Sequence, residues 1–395
     1  MSCAKPSFLL VVLLITFGSV CAVLYTPALP AIAHYFAVSD NAAGLTITLY
    51  LIGYALGPLL YGPLANRYGR KMALYIGISL AVLAALFCSL AAWLHSFNLM
   101  LFARFAMALG ASVGLKMSFT LVADTYSADQ SRKVVAHLLV AAAITPSIGV
   151  AIGGCLTQYL SWQSCFYFLA LYGGFILWLC TRIHETAETL DKEALQFSKI
   201  VSKYGRLLKN MRLVTASSLM GCGTTLVYVF AALAPFVAIV QMDLSPSLYS
   251  AWNLIPPVGL LLGSQVSGRL TKHWSQLRTI IVGIVVIFLA GLAMLLAFLG
   301  KGFSSVVLFT LMGGINFGAA FIYANASVLA TSEIEDKANA SALMNFINMG
   351  TATVIVLLLG LLHSALHILL PVILVAVAGL ALLISMLLRI ELKSH

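Results

Sequence analysis

Twelve apolar runs of about 20 residues or more recur along the chain, near 7–35, 43–65, 72–94, 98–124, 134–160, 164–182, 213–241, 246–270, 279–300, 305–331, 340–362 and 366–388. About 20 residues of α-helix cross the hydrocarbon core of a bilayer. There every backbone N–H and C=O needs a partner within its own segment, so runs of this length are compatible with helices alone. The expected fold is all-α, with twelve transmembrane helices. Composition agrees: charged residues make up 9% of the chain, against about 25% in soluble domains. The first run follows Lys5 and is too long for a secretory signal peptide.

The runs fall into six plus six. The one long polar stretch, 184–212, holds four of the twelve acids and six of the basic residues. It reads as a cytoplasmic linker with amphipathic helical pieces between an N-terminal bundle, 1–183, and a C-terminal bundle, 213–395. Nineteen of the 22 Lys and Arg residues fall in the termini, the linker and one set of alternate loops. By the positive-inside rule that side, with both termini, is cytoplasmic. The net charge of +10 therefore reports topology, and nucleic-acid binding is not expected. The halves echo one another at an offset of 206 to 208 residues: Gly57 and Gly62 fall on Gly263 and Gly268, and Gly110-Ala111 falls on Gly318-Ala319. Repeated six-helix halves are a transporter architecture, with a substrate site near the midplane. Shared hydrophobicity alone produces part of this match.

The seven cysteines form no CxxC pair and have no histidine clustered beside them, so neither a disulfide framework nor a metal site is expected. Ser, His and acidic groups do not converge at catalytic spacing, so the chain does not read as an enzyme.

After span two stands a tight basic loop, Gly62-Pro-Leu-Ala-Asn66-Arg67-Tyr-Gly69-Arg70-Lys71. Its glycines permit a sharp reversal, and its cations can clamp the cytoplasmic ends of helices. This loop resembles the signature of the major facilitator superfamily. Three further stretches resemble that family's drug:proton antiporter branch, and within it the bicyclomycin-resistance and chloramphenicol-efflux subfamily. They are Leu24-Tyr25-Thr-Pro-Ala-Leu-Pro30 ending span one, Arg104-Phe-Ala-Met-Ala-Leu-Gly110 with Asp124 in span four, and Pro146-Ser-Ile-Gly149-Val-Ala-Ile-Gly153-Gly154 in span five. The resemblance implies two pseudo-symmetric six-helix bundles, the superfamily fold, in a bacterial inner membrane. It also implies export coupled to the proton gradient, with no cofactor, in a chain that can work as a monomer. For Arg104 it implies substrate binding or proton coupling. On their own, the span-five glycines allow a neighbouring helix to approach and Pro146 invites a kink; generic packing is an equal reading.

The departures are specific. Asn66 stands where the family loop usually has Asp, so an acid to pair with the cations must come from elsewhere or the clamp is weaker. Met107 replaces the usual Gln of the span-four pattern, Phe119 a downstream Arg, and Val23 an acid of the first helix.

All twelve acids lie at or beyond span ends, which counts against an exporter of organic cations. Two cations, Arg104 and Lys116, fall inside span four, where a charge is costly and faces a cavity or a partner by default. Their spacing puts them about 120° apart on one continuous helix. Each reads either as a cavity group, Lys116 attracting anions or releasing a proton, or as a snorkelling residue. His137 can titrate near neutrality, although its place near Lys133 reads as a surface histidine. Tyr25, Tyr50, Tyr54, Tyr228, Asn316, Tyr323, Asn345 and Asn348 fit a mixed substrate pocket, with interhelical hydrogen bonding an equal reading for each Asn.

The expectation is thus a proton-coupled exporter of a small amphiphile, preferring neutral, zwitterionic or anionic compounds such as a chloramphenicol-like drug or a carboxylate siderophore. An importer of an anionic nutrient or siderophore in the same fold is the alternative, and a non-transporting membrane sensor a weaker one.

Overall fold

A computed structural model describes residues 6–187, 190–191, 194, 196–300, 302–334, 336–359 and 366–391. Lys5, Glu188, Lys192, Glu193, Lys301, Glu335 and Lys393, used above to read charge and orientation, lie outside these residues. Every described element is helical, and the chain divides into two compact units, residues 1–202 and 203–395.

The first unit begins with α1 (Phe8–Val23), a 3-10 turn (Thr26–Ala28) and α2 (Leu29–Tyr35), followed by α3 (Asp40–Tyr68) and α4 (Arg70–Trp93). Span four is divided into α5 (Phe97–Ala111) and α6 (Val113–Thr125), and α7 (Ala128–Tyr159) and α8 (Trp162–Thr181) complete the set. Ser112 between them keeps helical dihedrals and its N–H donates to the Ala108 carbonyl at 3.0 Å, so the span continues from α5 into α6. Helix α9 (Phe197–Leu207) forms in the linker. The second unit holds α10 (Met211–Pro235) with a π-helical extension (Phe236–Gln241), α11 (Pro246–Trp252), α12 (Ile255–Leu270), α13 (Gln276–Leu299), α14 (Ser305–Thr331), α15 (Lys337–Leu359) and α16 (Leu366–Glu391).

Eleven segments among the described residues are long and apolar enough to cross a membrane. The twelfth expected span, 246–270, is divided between α11 and α12, because Pro256 and Pro257 cannot donate the backbone bonds that would continue α11. All described acids sit at helix ends or between helices, as read from the sequence.

The internal echo is a packing fact within each unit. A Cβ on Gly53 would strike the Phe105 carbonyl, and one on Gly57 the Ser112 hydroxyl; in the second unit Gly259 meets Gly313 and Gly263 meets Phe317 in the same way. Gly77 and Gly110 bring α4 and α5 into backbone contact, as Gly283 and Gly318 do for α13 and α14.

Candidate functional site

The broken end of α1 organises the first unit. A helix leaves its last four carbonyls without intrahelical partners, here those of Cys21, Ala22, Val23 and Leu24. Pro27 has no N–H to offer Val23, and the Thr26 hydroxyl donates to that carbonyl instead, at 2.8 Å. Arg104 serves two more: Nη1 donates to the Cys21 carbonyl at 2.8 Å and Nη2 to that of Ala22 at 3.2 Å. Its Nε reaches the Thr46 carbonyl of α3 at 3.4 Å. The Leu24 carbonyl lies against Gly153 of α7, too close for any side chain there.

The Arg104 guanidinium is also held over two aromatic faces, 4.0 Å from the Tyr25 centroid and 4.3 Å from that of Tyr50. The Tyr25 hydroxyl donates to Thr46 Oγ1 at 2.7 Å, and Thr46 in turn donates to the Ala43 carbonyl at 2.6 Å. The Tyr50 hydroxyl donates to the Gly18 carbonyl at 2.6 Å. Arg104, Tyr25, Tyr50 and Thr46 are all 0% exposed. Arg104 is therefore neither a snorkelling residue nor, in this structure, open to a substrate: it caps a helix. Tyr25, also expected at the substrate, is sealed with it. Tyr54 is buried as well, stacked on Tyr50 and lying over Gly18.

Lys116 is half-buried on α6, its stem packed by Gly62 near the end of α3. His137 is exposed on α7, its Nδ1 2.7 Å from the Lys133 carbonyl one turn back, with Phe8 against its ring. Pro146 lies inside α7, which runs on through it. Gly149 makes ordinary contact with Val20, and Gly154 is buried.

The expected loop is shorter than the sequence suggested: residues 62–68 continue α3, Arg70 and Lys71 open α4, and the reversal is made at Gly69, where the basic residues find their acids. Arg70 Nε donates to Asp124 Oδ2 at 3.0 Å, an oxygen that also accepts from the Thr186 hydroxyl at 3.0 Å. The Glu185 carboxylate accepts the first N–H groups of α4, from Arg70 at 2.8 Å and Lys71 at 3.0 Å. That is the position where a helix's unpaired donors and dipole favour an anion. Gly69 makes this possible twice over: its φ of 93° suits glycine, and a Cβ would collide with the carboxylate. Burial acts to raise the Glu185 pKa, but backbone hydrogen bonds from Ala187, Arg70, Lys71 and Thr186 outweigh it and hold the carboxyl below its ordinary value. Lys71 Nζ donates to the Thr181 and Ile183 carbonyls at 3.1 and 2.8 Å, closing the end of α8. Asn66, in the place of the usual Asp, contributes its backbone carbonyl to the Asp191 N–H at 2.9 Å. Arg67 lies over the edge of the neighbouring Tyr68 ring. Glu185 was legible only as a linker charge; the one hint of its role was the acid missing at Asn66.

In the second unit four polar side chains, Thr224, Tyr228, Tyr323 and Asn348, gather on α10, α14 and α15. Thr224 Oγ1 donates to Asn348 Oδ1 at 2.7 Å. The Tyr323 hydroxyl is hydrogen-bonded to Thr224, and Tyr228 lies beside it. Asn316 sits two helical turns before Tyr323 on α14. Asn316 and Tyr228 remain 8% exposed, Thr224 and Asn348 5%. Unlike the Arg104 cage, these residues are not completely sealed, and Tyr323 is half-buried. Asn345 shares the Asn348 face but spends its amide on the Ser341 carbonyl of its own helix, at 3.0 Å. Thr224 was missed by the sequence reading, because a threonine in an apolar helix normally bonds its own backbone. Away from the cluster, Arg212 at the start of α10 pairs with Glu333 and donates to the Leu329 carbonyl, tying that helix to the end of α14.

Comparison with known proteins accords with this architecture. A protein of Rickettsia bellii described as an uncharacterized transporter is 29% identical over 71% of this chain and 69% of its own. The chloramphenicol resistance protein CraA of Acinetobacter baumannii is 23% identical over 87% of this chain and 83% of its own. The solved xylose transporter XylE from E. coli shares the fold, with a TM-score of 0.72 at 15% identity over 95% of each chain. The Major Facilitator Superfamily profile matches residues 8–356. With its repeated helical halves and multi-pass character, the chain belongs to the Major Facilitator Superfamily, a family of membrane transporters and not of enzymes.

Proposed function

We propose that the protein is a proton-coupled exporter of a small amphiphile, working by alternating access as a monomer in a bacterial inner membrane with both termini in the cytoplasm. Its preference is for neutral, zwitterionic or anionic compounds over lipophilic cations. One observation carries this reading: the polar cluster of Thr224, Tyr228, Tyr323 and Asn348 is uncharged, as is Asn316 two turns along α14, and no described acid lies in the interior of a span. A lipophilic cation entering such a site would shed its water without a countercharge. Similarity to a chloramphenicol resistance protein supports outward transport of an uncharged drug.

The test is the decay of a preformed pH gradient in inside-out proteoliposomes, with chloramphenicol, citrate and ethidium as probes. Release of protons by chloramphenicol or citrate and not by ethidium supports the proposal. Release by ethidium alone reverses the charge preference, and substrate movement down the opposite path makes the protein an importer.

A further inference from the structure

Three buried side-chain polar atoms among the described residues lack a hydrogen-bond partner: Ser89 Oγ, Ser250 Oγ and Asn316 Oδ1. Of the three, Asn316 carries a carboxamide, and an unmet amide inside a membrane needs an explanation. The other two buried asparagines of the second unit are satisfied. Asn325 Nδ2 donates to Ser267 Oγ at 3.0 Å and to the Phe321 carbonyl at 2.8 Å, and Asn348 accepts from Thr224. Asn316 stands apart from them.

Its place is fixed by what lies two turns to either side. Phe309, Asn316 and Tyr323 are seven apart and share one stripe of α14. Phe309 meets Phe230 of α10 at 5.8 Å between centroids, and Tyr323 lies over Gly223 of the same helix. Phe230 and Gly223 are themselves seven apart, so the stripe runs antiparallel along α10 with Asn316 at its centre. Asn316 is roughly 16 Å along α14 from Ser305, at 1.5 Å per residue. No Asp, Glu, Lys or Arg occurs in α14, and those of α10 and α15 are Arg212 and Lys337 at their starts.

We propose that Asn316 determines the specificity of this site, its carboxamide exchanging a hydrogen bond with an uncharged amide or hydroxyl on the transported compound. Turning the carboxamide over exchanges the buried oxygen for the buried NH2 and leaves one unmet atom. An amide or a hydroxyl, which both donates and accepts, satisfies either arrangement. An ammonium would be desolvated there with no acidic side chain on these helices, whose charges are Arg212 and Lys337 at the starts of α10 and α15. The proposal rests on the transport reading above and names the chemical group that reading leaves open.

The experiment compares binding of chloramphenicol, which carries an amide N–H and two hydroxyls, with binding of its N-methyl, di-O-methyl derivative to the full chain in nanodiscs. Wild type is expected to prefer the parent compound by about tenfold or more, as sites built around a hydrogen bond do. Asn316→Leu should bring the two to within about twofold, with Asn316→Ser keeping part of the preference. Thermal stability of Asn316→Leu should hold or rise, because an unmet polar group is removed. Should Asn316→Leu fail to fold, Asn316→Ser carries the comparison. Equal binding of both compounds by wild type, no binding of either, or an unaltered preference in the variants overturns the proposal and leaves Asn316 to a buried water. Proton release is measured separately: discrimination in binding without chloramphenicol-driven proton release sinks the exporter reading alone.

Discussion

The Leu24 carbonyl of α1 rests on the backbone of Gly153 in α7, in the space a Cβ would need. One turn earlier on α7, a Cβ on Gly149 would make only ordinary contact with Val20, at 3.5 Å. The two glycines of one motif therefore differ in what they tolerate. Gly153→Ala should destabilise the first unit by about 3 kcal/mol or more, at or above the usual range for overpacking, and Gly149→Ala should change little. Thermal denaturation of the two variants in the same detergent checks this; equal stability would show that α1 can step aside.

Arg104 is expected to behave as a cap. Arg104→Met keeps the length of the side chain but strips donors from the Cys21 and Ala22 carbonyls, at about 1–3 kcal/mol for each group left bare. Lys is a poor substitute, having neither the fork nor the flat face that two tyrosine rings hold. Both variants should lower the melting temperature and the amount of active protein, while KM for any transported compound stays at the wild-type value. A variant of normal stability with an altered KM or a shifted pH profile would return Arg104 to the substrate or proton path.

The Glu185 contact makes the cytoplasmic clamp sensitive to acid. Its folded pKa lies below the ordinary value, which is near about 4.3 for a free glutamate. The stabilisation is therefore present in full above that value and is lost as pH falls through the folded pKa. Glu185→Gln should melt below wild type at pH 7, and the gap between the two should close as the pH is taken down past 4. A gap that persists unchanged at low pH would mean that the carboxylate charge contributes nothing.

The Thr224 relay separates packing from recognition. Tyr323→Phe removes one hydroxyl from the edge of the cluster and should raise KM for an uncharged substrate about threefold to tenfold, the worth of one hydrogen bond, without a change in melting temperature. Thr224→Val leaves the buried Asn348 oxygen without its donor and should lower both affinity and stability. Transport kinetics beside thermal denaturation distinguish the two, and equal behaviour of both variants would dissolve the relay.

The positions of the helices were readable because burial in lipid imposes a length and a composition on every span, but the break between α11 and α12 was not read, because hydropathy runs on through Pro256 and Pro257. The partners of Arg104 were not readable. They are backbone carbonyls and ring faces, which any sequence could supply, brought together by a helix that ends at Val23, ahead of Pro27. Glu185 was visible as a charge but not as a ligand of the α4 N-terminus, because that depends on the chain folding back to Gly69. Asn316, Asn345 and Asn348 carry the same side chain in similar surroundings of sequence. One is unmet, one turns to its own helix and one joins a neighbour, a difference set by helix rotation and not by composition.

The contacts of Gly77 with Gly110, and of Gly283 with Gly318, join main chain to main chain. Such a seam has no rotamers to exchange and no side chain to slide past another, so it can break but cannot adjust. Within each unit the α4–α5 and α13–α14 pairs are thus the part of the molecule that turnover should leave alone. Spin labels placed along either pair would keep their separation through the whole cycle, giving a fixed ruler against which the travel of every other helix can be read.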